Sequence, residues 1–253
     1  MARIMAIANQ KGGVGKTTTA VNLSASLANF DKKVLLVDCD PQGNATGGFG
    51  VDKSSLEKTV YDILVNNIDA KFSLQTTPYG VTVIPSNINL AGAEVEMVNL
   101  MSRETKLRSA LNKIRDDYDF ILIDCPPSLG LLTVNALTAA DSIIIPIQCE
   151  FYALEGVAQL LNTIELVRSN LNPLLAFEGL VMTMFDIRTN LSRQVVDEVR
   201  SNFGGLVYDT IIPRSVRLSE APSYGKPVIA YDRKSRSAEI YLRLAEEVLS
   251  RVK

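Results

Sequence analysis

The chain has 253 residues, of which 47% are hydrophobic and 21% charged, and its formal net charge is −2. This length and composition predict one large α/β domain over residues 1–253, and the lack of histidine excludes catalytic triads, general bases and metal sites built on imidazole. The three cysteines, Cys39, Cys125 and Cys149, form no C-x-x-C pair, so we expect neither a disulfide framework nor a zinc knuckle.

The first predicted element is an apolar strand over residues 4–8, which runs directly into a glycine-rich loop and then a helix predicted over residues 17–30. The loop and the start of the helix consist of Lys11, Gly12, Gly13, Val14, Gly15, Lys16, Thr17 and Thr18. A strand, a tight turn and a helix N-terminus in this order are typical of a phosphate-binding loop (P-loop). In such a loop backbone N–H groups surround the phosphates, a lysine reaches the β- and γ-phosphates, and the next hydroxyl binds Mg²⁺.

The loop departs from the general pattern G-x-x-x-x-G-K-[ST] at two places. Lys16 and Thr17 fill the last two positions, but Gln10 stands where a glycine is usual, and Lys11 adds a second cation. Because Lys16 and Mg²⁺ already serve one nucleotide, Lys11 is most useful if it reaches a nucleotide bound by another copy of the chain.

The second predicted strand covers residues 33–38 and ends before Pro41. Asp38 and Asp40 lie two residues apart, so they point to the same side if the strand geometry continues that far. We assign Asp38 to the Mg²⁺ side and Asp40 to the attacking water, and this division is a hypothesis. Residues 42–55 are rich in glycine and are predicted to form a long functional or mobile loop.

The rest of the chain alternates between the two kinds of element. We predict helices over residues 60–65, 90–100, 106–114, 154–168, 192–203 and 237–252, and strands over residues 81–84, 120–124, 142–146 and 180–184. Apolar strands separated by helices predict a mostly parallel, twisted sheet covered by helices on both faces.

Asp124 follows four apolar residues at the end of a predicted strand, as a Walker B carboxylate does. Such a carboxylate holds Mg²⁺, directly or through water, opposite the hydroxyl of Thr17, whereas the alternative is an aspartate that caps the next turn. Ligands of parallel sheets bind at the carboxyl ends of the strands, so the P-loop, Asp38 and Asp124 are expected to converge there.

Three segments together resemble the motifs of the ParA/MinD family of deviant Walker ATPases: KGGVGKTT at 11–18, VDCDPQGN at 37–44 and IDCPP at 123–127. Downstream, IPRSVRLSEAPSYGKP at 212–227 is similar to the segment typical of the small chromosomal ParA branch, often called Soj. The resemblance extends over the length of the chain, and we expect no N-terminal helix-turn-helix extension of the kind that larger plasmid ParA proteins carry.

The resemblance implies a P-loop fold that uses ATP and Mg²⁺ and forms a homodimer on binding ATP. In the family, the residues matching Lys11 and Gly12 lie at the dimer interface, where the lysine contacts the partner's phosphates. The residue matching Asp40 supports hydrolysis, and the residue matching Pro213 lines the base. The resemblance also implies sequence-neutral binding of double-stranded DNA and slow hydrolysis that a ParB-type centromere-binding protein stimulates, as in chromosome or plasmid partition.

Positive charge is concentrated in the last quarter of the chain. Residues 187–253 carry 12 Lys and Arg against 8 Asp and Glu, whereas the preceding residues are net acidic. A basic face is what sequence-neutral DNA binding requires, although ordinary solvated helix faces and helix-end salt bridges give the same composition. The candidate DNA-binding residues are Arg188, Arg193, Arg214, Arg217, Lys226, Arg233, Lys234 and Arg236.

Three other functions share some of these motifs. A MinD-like positioning ATPase needs an amphipathic C-terminal helix that enters a membrane, but the predicted helix here carries Glu239, Glu246 and Glu247, so packing on the domain is expected. An iron–sulfur reductase would need Cys39 or Cys125 as a cluster ligand, whereas we expect small buried side chains. The third is a scaffold protein that changes state when it binds a nucleotide but does not hydrolyse it.

No apolar run approaches the roughly 20 residues of a membrane span, and the first residues show no signal-peptide pattern. We therefore expect a cytoplasmic protein with no membrane partner, and the family resemblance implies that it associates with the nucleoid when it binds ATP.

Overall fold

The computed structural model describes residues 1–151 and 155–251. Its centre is a seven-stranded sheet in the order β3-β4-β2-β5-β1-β6-β7, in which every neighbouring pair is parallel except β3 and β4. The strands are β1 (Arg3–Ile7), β2 (Val34–Asp38), β3 (Gln75–Thr76), β4 (Val81–Ile84), β5 (Phe120–Asp124), β6 (Ser142–Gln148) and β7 (Ala176–Thr183). The predicted α/β class with a mostly parallel sheet is confirmed.

Helices cover both faces of this sheet. They are α1 (Lys16–Asn29), α2 (Asn44–Gly48), α3 (Val60–Leu64), α4 (Leu90–Glu96), α5 (Lys106–Leu111), α6 (Leu131–Ala139), α7 (Glu155–Asn170), α8 (Asn190–Phe203), α9 (Val216–Glu220), α10 (Val228–Tyr231) and α11 (Arg236–Arg251). Short 3₁₀ turns connect several of them.

Alternate residues of the central strands enter opposite cores. In β5, Ile121 and Ile123 belong to the core beneath α3 and α5 to α7, whereas Leu122 belongs to the core beneath α1 and α11. This is the two-residue period of a strand, and because both faces are buried, the strand sequence is apolar without alternation.

The C-terminal helix α11 packs on the domain, as expected from its acidic residues. Tyr241, Leu244 and Val248 are buried in the core that α11 shares with α1. At its end, the Arg251 guanidinium lies 3.9 Å from the centroid of the Tyr208 ring and pairs with Glu247 at 2.9 Å. Within the described residues, no helix has both the length and the hydropathy that crossing a membrane requires.

Several predicted boundaries and elements need correction. The loop predicted over 42–55 contains α2, and α6, α9, α10 and β3 were not predicted. The helix predicted over 90–100 ends at Glu96 and continues as a 3₁₀ turn, while β7 begins four residues before its predicted start. The predicted helix start at Leu154 and helix end at Val252 lie outside the described residues.

Candidate nucleotide-binding site

The P-loop connects the end of β1 to the first turn of α1. Gly13 and Gly15 have φ angles of +76° and +89°, which L-residues with a side chain rarely adopt, and a Cβ added to Gly12 or Gly13 would meet nothing within 4 Å. The first turn of a helix leaves backbone N–H groups without helical partners, and its dipole favours an anion there. The open space in front of these glycines therefore fits phosphate groups approaching the backbone.

Two buried side chains outside the predicted site, Asn9 and Thr183, hold this loop. The Asn9 amide donates to the carbonyl of Pro146 at 2.7 Å, while its oxygen accepts from the N–H of Lys11 at 3.0 Å. Thr183, at the end of β7, donates its hydroxyl to the carbonyl of Val14 at 2.8 Å. The role of Asn9 could have been predicted from the sequence, because asparagine beside a turn often bonds the nearby backbone. The role of Thr183 depends on the fold alone.

The side chain of Lys16 folds back against the backbone of the P-loop. Its side chain is buried, and Nζ donates to the backbone carbonyl of Lys11 at 3.1 Å. Burial lowers the pKa of Lys16, while the Asp124 carboxylate opposes this shift. The predicted phosphate lysine is thus placed beside the predicted Walker B carboxylate.

Asp38 and Asp124 end neighbouring strands in the same register position. Both carboxylate oxygens of Asp124 are buried and have no hydrogen-bond partner among the residues that the structure describes. Burial and the Asp38 carboxyl group hold the pKa of Asp124 well above its usual range, and the nearby Thr17 hydroxyl opposes this shift.

Asp38 differs from Asp124 because its oxygens are already hydrogen-bonded. The backbone N–H and the hydroxyl of Thr46 each donate to Oδ2 at 2.7 Å, and the N–H of Asp40 donates to Oδ1 at 3.1 Å. Asp38 thereby fixes the start of α2. The assignment of Asp38 to the Mg²⁺ side stays a prediction, and these bonds favour a contact with the ion that is indirect.

The donor set of this crevice fits Mg²⁺. This ion is usually bound by one or two carboxylates and a hydroxyl together with substrate phosphates, rather than by a cage of protein ligands. Accordingly, the described part of the chain holds no cluster of three or more His, Cys, Asp or Glu residues that could bind a metal. Asp124 and Thr17 would hold Mg²⁺ here.

Asp40 lies just beyond β2 on the loop side of Asp38. It is 9% exposed, and its Oδ1 accepts from the N–H of Gln42 at 2.9 Å. The predicted role of Asp40 in hydrolysis stays a prediction.

Lys11 makes a different contact from Lys16. Its Nζ lies 3.7 Å from Oε2 of Glu150, and the side chain is 33% exposed. Lys11 therefore has an ion-pair partner of its own, although it shares a loop with Lys16.

A cavity of about 340 Å³ adjoins the P-loop through Gly15 and Thr18. Pro213, the residue predicted to line the base, forms part of its wall together with Leu218 and Tyr241. Apolar walls next to a phosphate-binding turn suit a purine ring.

The structure separates the predicted DNA-binding residues into groups. Arg188, Arg214 and Arg236 line one pocket of about 360 Å³, whereas Lys226 lines another beside Thr17. Arg233 and Lys234 are exposed. Four of the predicted arginines have partners within the chain. These contacts are Arg188–Asp186 at 2.7 Å, Arg193 to the Ile187 carbonyl at 3.3 Å, Arg214–Glu150 at 3.5 Å, Arg217–Glu220 at 3.0 Å and Arg217–Asp232 at 3.3 Å.

Comparisons with known proteins agree with this geometry. Residues 2–177 match the model of a family described as an AAA domain. The chain is 60% identical to the sporulation initiation inhibitor protein Soj of Bacillus subtilis over 98% of both chains, and 54% identical to the chromosome partitioning protein ParA of Myxococcus xanthus over 98% of this chain and 88% of that protein. The chain belongs to the ParA/MinD family of ATPases.

A solved structure extends the comparison for this ParA/MinD family member. A Mycobacterium smegmatis protein named cobyrinic acid a,c-diamide synthase, solved with bound ADP and magnesium, is 41% identical to it. The two structures agree with a TM-score of 0.87 over 98% of this chain and 94% of that chain.

The cysteines of this family member are small core residues, as expected. Cys39, Cys125 and Cys149 are all free and buried. Burial raises the pKa of the Cys149 thiol to about 12, and it raises the pKa values of the other two as well. Since a cluster ligand must be a thiolate, these environments disfavour an iron–sulfur site.

Asp38 should make the stability of the nucleotide-free protein depend on pH. Burial raises its pKa from 3.8 to about 6, so the folded protein holds this proton more tightly than the unfolded chain. The free energy of unfolding then falls as pH rises from about 4 to about 6, and Asp124 acts in the same direction.

Asp38→Asn is expected to flatten that decline. Urea unfolding at several pH values, without Mg²⁺ or nucleotide, measures it, and Asp116→Asn serves as a control at an exposed aspartate. If the Asp38→Asn protein loses stability as steeply as the wild type, the carboxyl group of Asp38 is not the source of the pH dependence.

Proposed function

We propose that this protein is an Mg²⁺-dependent partition ATPase. In this proposal ATP assembles a homodimer, the dimer binds double-stranded DNA on the nucleoid without sequence preference, and hydrolysis releases it. A ParB-type centromere-binding protein stimulates the slow hydrolysis. The name of the Myxococcus relative, chromosome partitioning protein ParA, supports partition as the process.

The observation that carries the proposal is the arrangement of two lysines on one loop. Lys16 is buried beside Asp124 and serves the nucleotide of its own subunit. Lys11 is a second, partly exposed ammonium group on the same loop, where its present partner is a carboxylate. A phosphate group of a second subunit's nucleotide is a stronger partner for it, because charge-assisted bonds to phosphate gain from the higher charge.

The residues of one site divide the work as follows. The P-loop backbone and Lys16 bind the phosphates, and the apolar cavity beside Pro213 holds the base. Asp124 and Thr17 would hold Mg²⁺, which would supply positive charge against the phosphates of the nucleotide. Asp40 orients a water molecule, whose oxygen attacks the γ-phosphorus while the bond to the ADP oxygen breaks.

The pocket that Arg188, Arg214 and Arg236 line supports the DNA part of the proposal. Its arginines lie next to the cavity for the base, since Pro213, Arg214 and Ser215 border both. Nucleotide and DNA would thus bind to adjoining surfaces of one subunit.

The Mycobacterium structure carries the name of an amidating enzyme, while the relatives at 54% and 60% identity are named for other roles, the Myxococcus protein for chromosome partitioning. We follow the higher identities. A positioning ATPase that acts on a membrane or a protein cargo is the alternative, and retention on DNA separates the two.

The double variant Arg214→Ala, Arg217→Ala is expected to weaken ATP-dependent DNA binding at least about ten-fold at fixed salt. Each lost phosphate contact should also reduce the slope of log affinity against log salt by about one. Filter retention or fluorescence anisotropy over a salt series, with ATP and Mg²⁺, measures both quantities.

Arg243→Ala is the matched control, because Arg243 is an exposed arginine paired with Glu239 on α11. Wild-type affinity of the folded double variant would assign DNA binding to another patch. Wild-type protein that shows no ATP-dependent retention, yet pellets with anionic vesicles, would favour the positioning ATPase.

A further inference from the structure

Glu150 lies between two cations that come from distant parts of the chain. It follows β6, and its Oε1 accepts from the Gln148 amide at 2.6 Å. Oε2 lies 3.7 Å from Nζ of Lys11, and Oε1 lies 3.5 Å from the guanidinium of Arg214. One carboxylate thus joins the P-loop to the segment that borders both the base cavity and the arginine pocket.

We infer that Glu150 is a positioning residue that holds Lys11 within its own subunit until the nucleotide of a second subunit takes the ammonium group. This inference rests on the ATP-dependent dimer proposed above. In the single subunit, the Lys11 ammonium is neutralised by Glu150, so it is not an unpaired charge on the loop.

Release of Lys11 costs little for two reasons. Lys11 and Glu150 are both partly exposed, and ion pairs of this kind are weak in water. When Lys11 leaves, Arg214 still neutralises the carboxylate at 3.5 Å. Dimerisation therefore exchanges the partner of Lys11 without leaving Glu150 unpaired.

Glu150→Gln removes this restraint and keeps the size of the side chain. The dissociation constant of the dimer, measured by sedimentation equilibrium with Mg²⁺ and a non-hydrolysable ATP analogue, is expected to fall about five-fold, because two such pairs open for each dimer. Glu239→Gln, which removes the carboxylate paired with Arg243 on α11, is the matched control and should leave the constant unchanged.

Two further measurements separate this role from a general charge effect. In a Lys11→Ala background, Glu150→Gln is expected to add nothing to dimerisation, since the residue acts through Lys11. The affinity of the single subunit for a fluorescent ADP analogue is expected to stay within about two-fold of wild type, whereas a carboxylate that merely repels nucleotide would tighten it on removal.

A dimer that is weaker or unchanged in Glu150→Gln overturns the inference, as does an equal gain in the Lys11→Ala background or a clearly tighter ADP analogue. If the wild-type protein stays monomeric with the ATP analogue, the proposed dimer itself is wrong and the inference falls with it. The wild-type and variant measurements therefore report on the two ideas separately.

Discussion

Replacing Asp124 by asparagine is expected to lower ATP turnover at least about 100-fold at saturating ATP and Mg²⁺. The two oxygens of Asp124 are buried, unpartnered within the described structure and next to Thr17. An amide of the same shape cannot supply the negative charge that Mg²⁺ requires. Phosphate release over time measures the effect, and titration of Mg²⁺ in the presence of a fluorescent nucleotide shows whether metal affinity falls with it.

Asp116→Asn is the matched control, because this exposed aspartate precedes the same strand and pairs with the N-terminal amine. The circular dichroism of Asp124→Asn should match wild type, since burial already disfavours the charge. Turnover within a few-fold of wild type would show that Asp124 does not hold the metal and only ends the strand.

Lys11→Ala is expected to separate nucleotide binding from assembly. Binding of a fluorescent ATP analogue should stay close to wild type, because Lys16 and the P-loop backbone remain. ATP-dependent retention on DNA and stimulation of turnover by a ParB-type partner should both be lost, by at least about ten-fold, because the contact across the dimer is missing.

Lys58→Ala is the matched control for this change, since Lys58 is a partly exposed lysine that pairs with Asp62 at 3.6 Å. A Lys11→Ala protein that is retained on DNA with ATP and is stimulated normally would leave the second lysine of the loop without a role.

The fold was predictable where local patterns were strong. The apolar strands of the sheet and the helices with a polar face were found because each follows one period. Helix α6 was missed because it is buried on most sides and its sequence, LLTVNALTA, has no polar face to reveal a helical period. Helix α2 was missed because its sequence, NATGG, has low helix propensity, and the bonds from Thr46 to Asp38 stabilise it instead.

The candidate site was predictable to the extent that it follows strand ends. The P-loop, Asp38 and Asp124 converge because parallel strands place their carboxyl ends at one edge, and the register pairs Asp38 with Asp124. The sequence does not predict Thr183 and Glu150 as part of the site, because their partners, Val14 and Lys11, lie more than 130 residues away along the chain. No local period or spacing carries such a contact, so the fold must be known first.

Sedimentation of the wild-type protein, with and without nucleotide, is the most direct test of the claim that ATP forms part of a dimer interface through Lys11. We expect a monomer with ADP and a dimer with Mg²⁺ and a non-hydrolysable ATP analogue, and a monomer in both conditions for Lys11→Ala. A wild-type monomer in both nucleotides, or a Lys11→Ala protein that dimerises as the wild type does, would contradict it.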